Sequence, residues 1–375
     1  MKILFTGGGT GGHFYPIIAV ADELRELVKE YRLIPPELIF MSPSAYNPGM
    51  LYDRGIVFKK NTAGKRRLYF SILNFFDLFK TAWGVLTSVY AVFSIYPDVI
   101  FGKGGYASFP VLFAGKILRI PVVIHESDMV PGRVNVWAAR FAKKIAVSYP
   151  DTTKFFSEKK VAYTGQPIRK ELMEPLRDGA HEFLKLQKDL PTIFVFGGSQ
   201  GSQIINDTLV DALPELLKNY QIIHQVGKTN FSDILTRTNT VLLDNPLKDR
   251  YKIFDYLDSL AIRMSAGASS LVISRAGSSI FEIATWGLPS IIIPITDSQG
   301  DHQRKNAYSY ARTGACVVLE EANLTANILI SETRRLLDNP SQLETMKKAA
   351  LGFANKDAAR MIAKEILAIA LKHDM

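Results

Sequence analysis

The chain has 375 residues, 47% hydrophobic and 22% charged, the balance of a globular protein with enough apolar surface for a full core. A single cysteine, Cys316, excludes an intrachain disulfide framework and a cysteine-rich metal site, and suits a reducing, cytoplasmic setting. A net charge of +9 suits an anionic partner, and since no basic run interleaves with an RNA-binding motif, nucleic acid ranks behind a membrane surface or a phosphorylated substrate.

The predicted elements begin with an apolar strand at residues 3–5, with no signal-peptide h-region or cleavage site before it. It runs into five glycines, Gly7, Gly8, Gly9, Gly11 and Gly12. A helix-period pattern follows at Ile17, Ile18, Val20, Ala21, Leu24, Leu27 and Val28. Strand, glycine turn and helix aim backbone N–H groups and a helix N-terminus at a phosphate. His13 stands at the edge of the turn, where an imidazole can take a proton from a bound group. A nucleotide P-loop does not fit, because no Lys follows these glycines, and Lys103 after Gly102 is followed by Gly104, Gly105 and Tyr106 rather than a hydroxyl for Mg²⁺. Gly7, Gly9 and Gly12 satisfy the dinucleotide spacing, yet the second strand, 38–41, ends in Ser42-Pro43-Ser44 without the ribose-binding acid. A loop that cradles a diphosphate beside a basic His13 remains, with a plain α/β turn as the alternative.

Further along, Lys65-Arg66-Arg67 leads into Leu68, Tyr69, Phe70, Ile72, Leu73, Phe75, Phe76, Leu78, Phe79, Lys80 and Trp83. Rings and aliphatic groups rimmed by cations suit an interfacial membrane patch, with a solvated basic loop over core side chains as the alternative. Residues 81–97 are uncharged and at the short end of the membrane-spanning range; a strand follows, so the segment reads as a buried helix. The pattern continues with strands at 97–101, 121–124, 144–147 and 160–163 and a helix at 108–118, until Gly165-Gln166-Pro167 punctuates the chain. A second strand–glycine–helix unit opens at 192–202, and further strands fall at 221–225, 271–273, 290–293 and 315–318, with a terminal amphipathic helix at 357–372. Alternating strands and helices predict parallel sheets, and two glycine-loop units half a chain apart predict two Rossmann-like domains with a cleft between them. The expected domains are 1–166, with the helix 357–375 packing back on it, and 167–356.

Polar residues gather after strands, where open α/β sheets bind ligands. His125 and Glu126 follow one strand, with Asn135 near the Pro131-Gly132 turn. Arg275 and the stretch Gly277, Ser278, Ser279 follow another, where guanidinium and N–H groups can hold phosphate and Glu282 can accept ribose hydroxyls. Asp301, His302, Gln303 and Asn306 follow a third. Singly, each such residue is more often a helix cap or structural hydrogen bond, and it is their joint placement at strand ends in both halves that points to a site.

In order, the chain carries Gly-Gly-Thr-Gly-Gly-His-x-x-Pro, Gly-Gly-Tyr, His-Glu-Ser-Asp-x-x-Pro-Gly-x-x-Asn, Thr-Gly-x-Pro-x-Arg, Gly-Gly-Ser-Gln-Gly, Ser-Arg-Ala-Gly and Asp-His-Gln-x-x-Asn-Ala. This set resembles the MurG family, the bacterial peptidoglycan N-acetylglucosaminyltransferases of the GT-B fold and glycosyltransferase family 28, over essentially the whole chain. The resemblance implies an α/β protein of two Rossmann-like domains with parallel sheets facing across a cleft. It implies inverting transfer of N-acetylglucosamine from UDP-N-acetylglucosamine to the C4 hydroxyl of the muramoyl sugar of undecaprenyl-diphosphate-linked lipid I, forming lipid II. UDP-N-acetylglucosamine is then a co-substrate, no cofactor is tightly bound, and no Asp-x-Asp metal motif calls for a divalent ion.

Carried over by motif, His13 is the candidate base, with Glu126 as a second catalytic candidate. Gly9, Thr10, Tyr106, His125, Asp128 and Asn135 are implied on the acceptor side. The implied donor site comprises Thr10, Gly11, Gly12, Arg169, Ser199, Leu257, Arg275, Gly277, Ser278, Ser279, Ile280, Glu282 and Gln303. Within that set Arg169 and Ser199 hold the UDP diphosphate, Leu257 lies near uracil, Glu282 grips ribose and Gln303 the sugar. The implied location is peripheral, on the cytoplasmic face of the bacterial plasma membrane, with an anionic lipid surface as partner. The chain departs from the pattern at Asp128, where many relatives carry Asn, and in the spacing from Gly277 to Glu282, one residue shorter. A GT-B transferase for another lipid acceptor such as diacylglycerol, and a UDP-sugar-binding protein without catalysis, are the competing readings.

Overall fold

The computed structural model describes residues 1–64, 73–198, 201–296 and 298–373, without side chains at 73–76, 299 and 373. The chain forms two compact units, Met1–Arg169 with Lys356–Met375, and Lys170–Asn355.

The first unit is built on a seven-stranded parallel sheet: β1 (Lys2–Thr6), β2 (Glu37–Ser42), β3 (Val57–Lys60), β4 (Val99–Gly102), β5 (Val122–Glu126), β6 (Lys144–Val147) and β7 (Val161–Tyr163). Their spatial order is β3-β2-β1-β4-β5-β6-β7. Helices cover both faces, so the inner strands can be apolar throughout. In β1, Ile3 and Phe5 point into a core shared with Ile17 and Leu24 of the helix Gly11–Glu30, while Leu4 points into the opposite core with Val92, Val111 and Leu112. The terminal helix Ala358–His373 joins the first of these cores through Ile362, Ala363, Ile366 and Ile369. Its Arg360 reaches Glu23, 3.5 Å away, and Glu30 on the helix Gly11–Glu30.

The second unit repeats the plan with six parallel strands, β8 (Thr192–Phe196), β9 (Gln221–Gln225), β10 (Tyr251–Phe254), β11 (Leu271–Ser274), β12 (Ser290–Ile292) and β13 (Cys316–Val318), in the order β10-β9-β8-β11-β12-β13. Strands β3 and β10 carry no sequence expectation. Both are sheet edges, Val-Phe-Lys-Lys and Tyr-Lys-Ile-Phe, that bury little and so lack the apolar run of a central strand.

The expectation of a buried helix at 81–97 is corrected. The helix Leu73–Ile95 presents Leu78, Phe79, Trp83, Leu86, Tyr90 and Phe93 to the outside, with Trp83 62% and Tyr90 75% exposed. Among its described side chains and glycines, Asp77, Gly84, Ser88, Val92 and Ile95 are buried, because a helix lying on one sheet face needs a single inward stripe. Uniformly apolar composition hides which stripe that is. Asp77–Ile95 is long and apolar enough to cross a membrane by length and composition, with 22% of its most apolar window buried. Lys65, Arg66, Arg67 and the residues up to Ile72 lie outside the described residues.

Candidate active site

In the first unit the strand order reverses at β1 and β4, which run side by side from Ile3 opposite Val99 to Thr6 opposite Gly102. Two loops therefore leave the sheet together at the switch point, where open α/β sheets bind ligands. The loop after β1 is Gly7 to Thr10, and Thr10 is the extended N-cap of the helix Gly11–Glu30. That helix has no acid in its first turn. The N–H groups of Gly11 and Gly12 have no intrahelical acceptor and carry the positive end of the helix dipole. Gly9 and Thr10 are exposed, and Gly9, at φ +94°, occupies backbone space that a side chain would strain.

His13 stands in the first turn of this helix, with Thr10 Oγ1 3.0 Å from its Nδ1. A methyl group on Gly105, at φ +76°, would come within 3.2 Å of His13 Nε2, so the loop after β4 seats the ring. Tyr106 of that loop lies over Gly9. Desolvation, and then the charge of Lys103, push the His13 imidazole down to about 4, while Asp128 pulls it upward. The ring is thus neutral near pH 7, the form that accepts a proton.

Behind His13 the polar side chains bond mainly to one another, while His125 Nδ1 and Asn135 Oδ1 have no hydrogen-bond partner among the described residues. Glu126, at the end of β5, takes the Asp128 amide at 3.0 Å, the Gly132 amide at 2.9 Å and Asn135 Nδ2 at 2.8 Å. Burial raises its carboxyl first, and the charge of Asp128 raises it further, against those hydrogen bonds. Asn135 also donates to the His125 carbonyl at 3.1 Å, and His125 Nε2 lies 3.1 Å from the Gly165 carbonyl. Glu126, His125 and Asn135 are 5% or less exposed. They clasp the loop after β5, which leaves His13, Gly9, Thr10, Tyr106 and Asp128 as the outward set. Arg169 is nearly buried, its guanidinium 4.3 Å above the Tyr15 ring, within the same unit.

In the second unit the order reverses at β8 and β11. After β11, Gly277, Ser278 and Ser279 are half-buried at the N-terminus of the helix Ser279–Trp286, whose first turn carries Glu282. Nothing lies within 4 Å of where a Gly277 side chain would stand, an open approach for a ligand. Asn306 braces this loop from behind, donating to the Ala276 carbonyl at 3.1 Å. Arg275 is bidentate to Glu321, at 3.2 Å for each bond. The Ile280 amide donates to the Gly277 carbonyl at 3.2 Å, because the turn into the helix consumes it. The Leu257 side chain is 1% exposed in the core, with its amide 3.1 Å from Gln225 Oε1, so only backbone is available near that point. Gln303 is half-buried and takes the Ile295 amide at 3.2 Å. Ser199 lies outside the described residues.

Glu321 carries no sequence expectation, and Lys103 enters the sequence reading only as a lysine that does not complete a P-loop. Glu321 stands 46 residues from its partner Arg275. Lys103 looks like a loop lysine, yet it is 2% exposed.

Two family models cover most of the chain: the glycosyltransferase family 28 N-terminal domain at residues 3–147 and its C-terminal domain at 192–365. The chain belongs to glycosyltransferase family 28. It is 37% identical over 373 residues to the UDP-N-acetylglucosamine–N-acetylmuramyl-(pentapeptide) pyrophosphoryl-undecaprenol N-acetylglucosamine transferase 2 of Bacillus cereus, covering 97% of this chain and 99% of the relative. It is 35% identical over 367 residues to the Clostridium kluyveri transferase of the same designation without the numeral, with 97% and 99% covered. Among solved structures, Acinetobacter baumannii MurG superposes with a TM-score of 0.72 at 23% identity, covering 98% of this chain and 99% of that one. A Neisseria meningitidis UDP-GlcNAc 2-epimerase bound to UDP-GlcNAc gives 0.67 at 14% identity, covering 98% and 100%, a likeness of fold alone. This family 28 chain therefore shares the GT-B architecture that the motif order implied.

Proposed function

We propose that the chain transfers N-acetylglucosamine from UDP-N-acetylglucosamine to the C4 hydroxyl of the muramoyl sugar of undecaprenyl-diphosphate-linked lipid I, with inversion, forming lipid II. The observation that carries this reading is 37% identity over nearly the full length to a relative named for that transfer, joined to a glycine loop that places helix N–H groups without an intrahelical acceptor beside a neutral imidazole.

The loop Gly9 to Gly12 receives the acceptor diphosphate, since its N–H groups and helix dipole favour anions. His13 accepts the C4 hydroxyl proton as the oxygen attacks the anomeric carbon and UDP leaves from the opposite face. Thr10 holds the ring through Nδ1, which leaves Nε2 for the proton. The N–H groups of Gly277, Ser278 and Ser279 and the helix dipole behind them stabilise the charge developing on UDP, and Glu282 accepts ribose hydroxyls. Arg275, paired with Glu321, shapes this loop, while Arg169 adds a cation above Tyr15.

The exposed face of the helix Leu73–Ile95, with Lys80 beside Phe79, supports peripheral binding to an anionic membrane. The lipid tail of the acceptor gives that face a purpose, and the cytoplasmic leaflet is where UDP-sugars are available.

Labelled N-acetylglucosamine offered from its UDP form to a soluble lipid I analogue, beside a diacylglycerol control, tests the reading. Product with lipid I alone is expected. Product with diacylglycerol alone would overturn the acceptor assignment and retain the donor site.

A further inference from the structure

Two loops of the second unit that belong to the implied donor site are tied together by a side chain outside that set. Gln225 is the last residue of β9, which lies between β8 and β10, and it stands level with Phe196 and Phe254, the last residues of both neighbours. The glycine loop leaves the sheet on one side of it, and the loop carrying Leu257 leaves on the other. Gln225 is 6% exposed, and its amide reaches both loops. Nε2 donates to the Gly198 carbonyl at 3.4 Å, and Oε1 accepts the Leu257 amide at 3.1 Å. One loop needs a donor and the other an acceptor. A primary amide supplies both, whereas an ionised Glu of the same length only accepts and Asn is one methylene shorter.

The end of β9 is itself held firmly. Val226, the next residue, accepts Asn206 Nδ2 at 3.1 Å and Asn230 Nδ2 at 3.0 Å on its carbonyl, while its amide donates to the Phe254 carbonyl at 2.9 Å. Since Asn206 donates through Nδ2, its Oδ1 accepts from His224 Nε2 at 3.1 Å, and His224 Nδ1 accepts from the Tyr251 hydroxyl at 2.9 Å. Gly201, at φ +75°, lays its backbone against this end of the strand: a side chain there would run into the Val226 carbonyl oxygen. The glycine loop thus rests on β9 at Gly201 and is bonded to it at Gly198. On the other side, Leu257 is pinned by its side chain in the core and by its amide on Gln225, and Asp258 after it caps the helix Ser259–Ala268 with Oδ1 2.8 Å from the Ala261 amide.

We propose that Gln225 is a positioning residue for the donor: bonded to Gly198 on one side and Leu257 on the other, it sets the spacing between the loop that takes the UDP diphosphate and the backbone that takes the uracil. The inference rests on the donor reading of these two loops. A ligand that spans two loops binds well only when their separation is fixed beforehand, because otherwise the ordering of one loop against the other is subtracted from its affinity. A ligand that touches one loop alone escapes that loss. The buried amide therefore matters to UDP as a whole more than to either of its halves.

The test is titration of the full-length protein with UDP, with uridine and with inorganic diphosphate, native beside Gln225→Met. Met keeps the length and removes both hydrogen bonds. It is expected to weaken UDP by about tenfold, the worth of one hydrogen bond, and to leave uridine and diphosphate within about twofold. In turnover, KM for UDP-N-acetylglucosamine should rise while KM for the lipid I analogue stays near native. A loss of stability in the variant without this split is the mark of a merely structural residue. UDP affinity unchanged in Gln225→Met overturns the proposal, and so does a loss shared equally by UDP and uridine or by UDP and diphosphate. Should Gln225→Met not fold, Gln225→Asn, whose amide is too short to span the two loops, replaces it under the same criteria. Native protein that binds no UDP would instead sink the donor reading itself, and this inference with it.

Discussion

Thr10 Oγ1 lies 3.0 Å from His13 Nδ1, so the N-cap residue of the first long helix caps a side chain rather than the helix backbone. The hydroxyl holds the imidazole in one orientation through Nδ1, and a base gains from being oriented in advance. Thr10→Val is therefore expected to lower kcat up to about tenfold, the worth of one hydrogen bond. His13→Ala should lose on the order of 10²–10⁴-fold while keeping UDP-sugar affinity. Steady-state kinetics with isothermal titration of UDP-N-acetylglucosamine separates the two effects. Equal loss of binding and turnover in His13→Ala would sink the base assignment.

Gly105 has φ +76° and supports the His13 ring. A side chain here strains the backbone by about 1–2 kcal/mol and pushes the imidazole off its seat. Gly105→Ala should lower kcat more than it lowers the melting temperature. Calorimetry beside turnover checks this, and a fully active Gly105→Ala would show that the seat is not needed.

His224 is buried in the second unit between Tyr251 OH, 2.9 Å from Nδ1, and Asn206 Oδ1, 3.1 Å from Nε2. Burial pushes its imidazole down to about 3. The unfolded chain binds this proton near pH 6.5, so between about 6.5 and 3 the unfolded state holds more protons than the native one. Stability from this group is therefore complete above pH 6.5 and is lost as pH falls toward 3. His13, His125 and His224 all shift downward, so the effects reinforce one another. Urea midpoints should fall steadily from pH 7 to pH 4, and less steeply in His224→Gln if the fold accepts the amide. A flat profile would contradict the burial argument.

The outward face of the helix Leu73–Ile95 is expected to carry membrane contact. Trp83→Glu with Leu86→Glu should reduce binding to anionic vesicles at least tenfold, since each change removes an apolar group from the interface and adds a charge repelled by the lipid. Transfer to a soluble acceptor should stay within about twofold, because surface substitutions away from the site change little. Vesicle co-sedimentation and the soluble assay measure the two separately; undiminished sedimentation would remove this face from the account.

Sequence alone determined the two glycine turns, the central strands and the motif order, because each depends on local chemistry. Glycine is favoured where φ is positive, as at Gly9 and Gly105, and apolar runs are favoured where a strand is covered on both sides. Tertiary structure decided which polar residues after the strands remain open. His125, Glu126 and Asn135 read like ligand contacts until the loop after β5 folds back and takes up most of their hydrogen bonds, leaving His125 Nδ1 and Asn135 Oδ1 without a partner among the described residues. Arg275 reads as a phosphate cation until Glu321 arrives from beyond β13. The outward stripe of the helix Leu73–Ile95 and the burial of Lys103 likewise depend on neighbours distant in sequence. Burial and partner choice belong to packing between segments, and residue order alone does not encode which segment will close over a side chain.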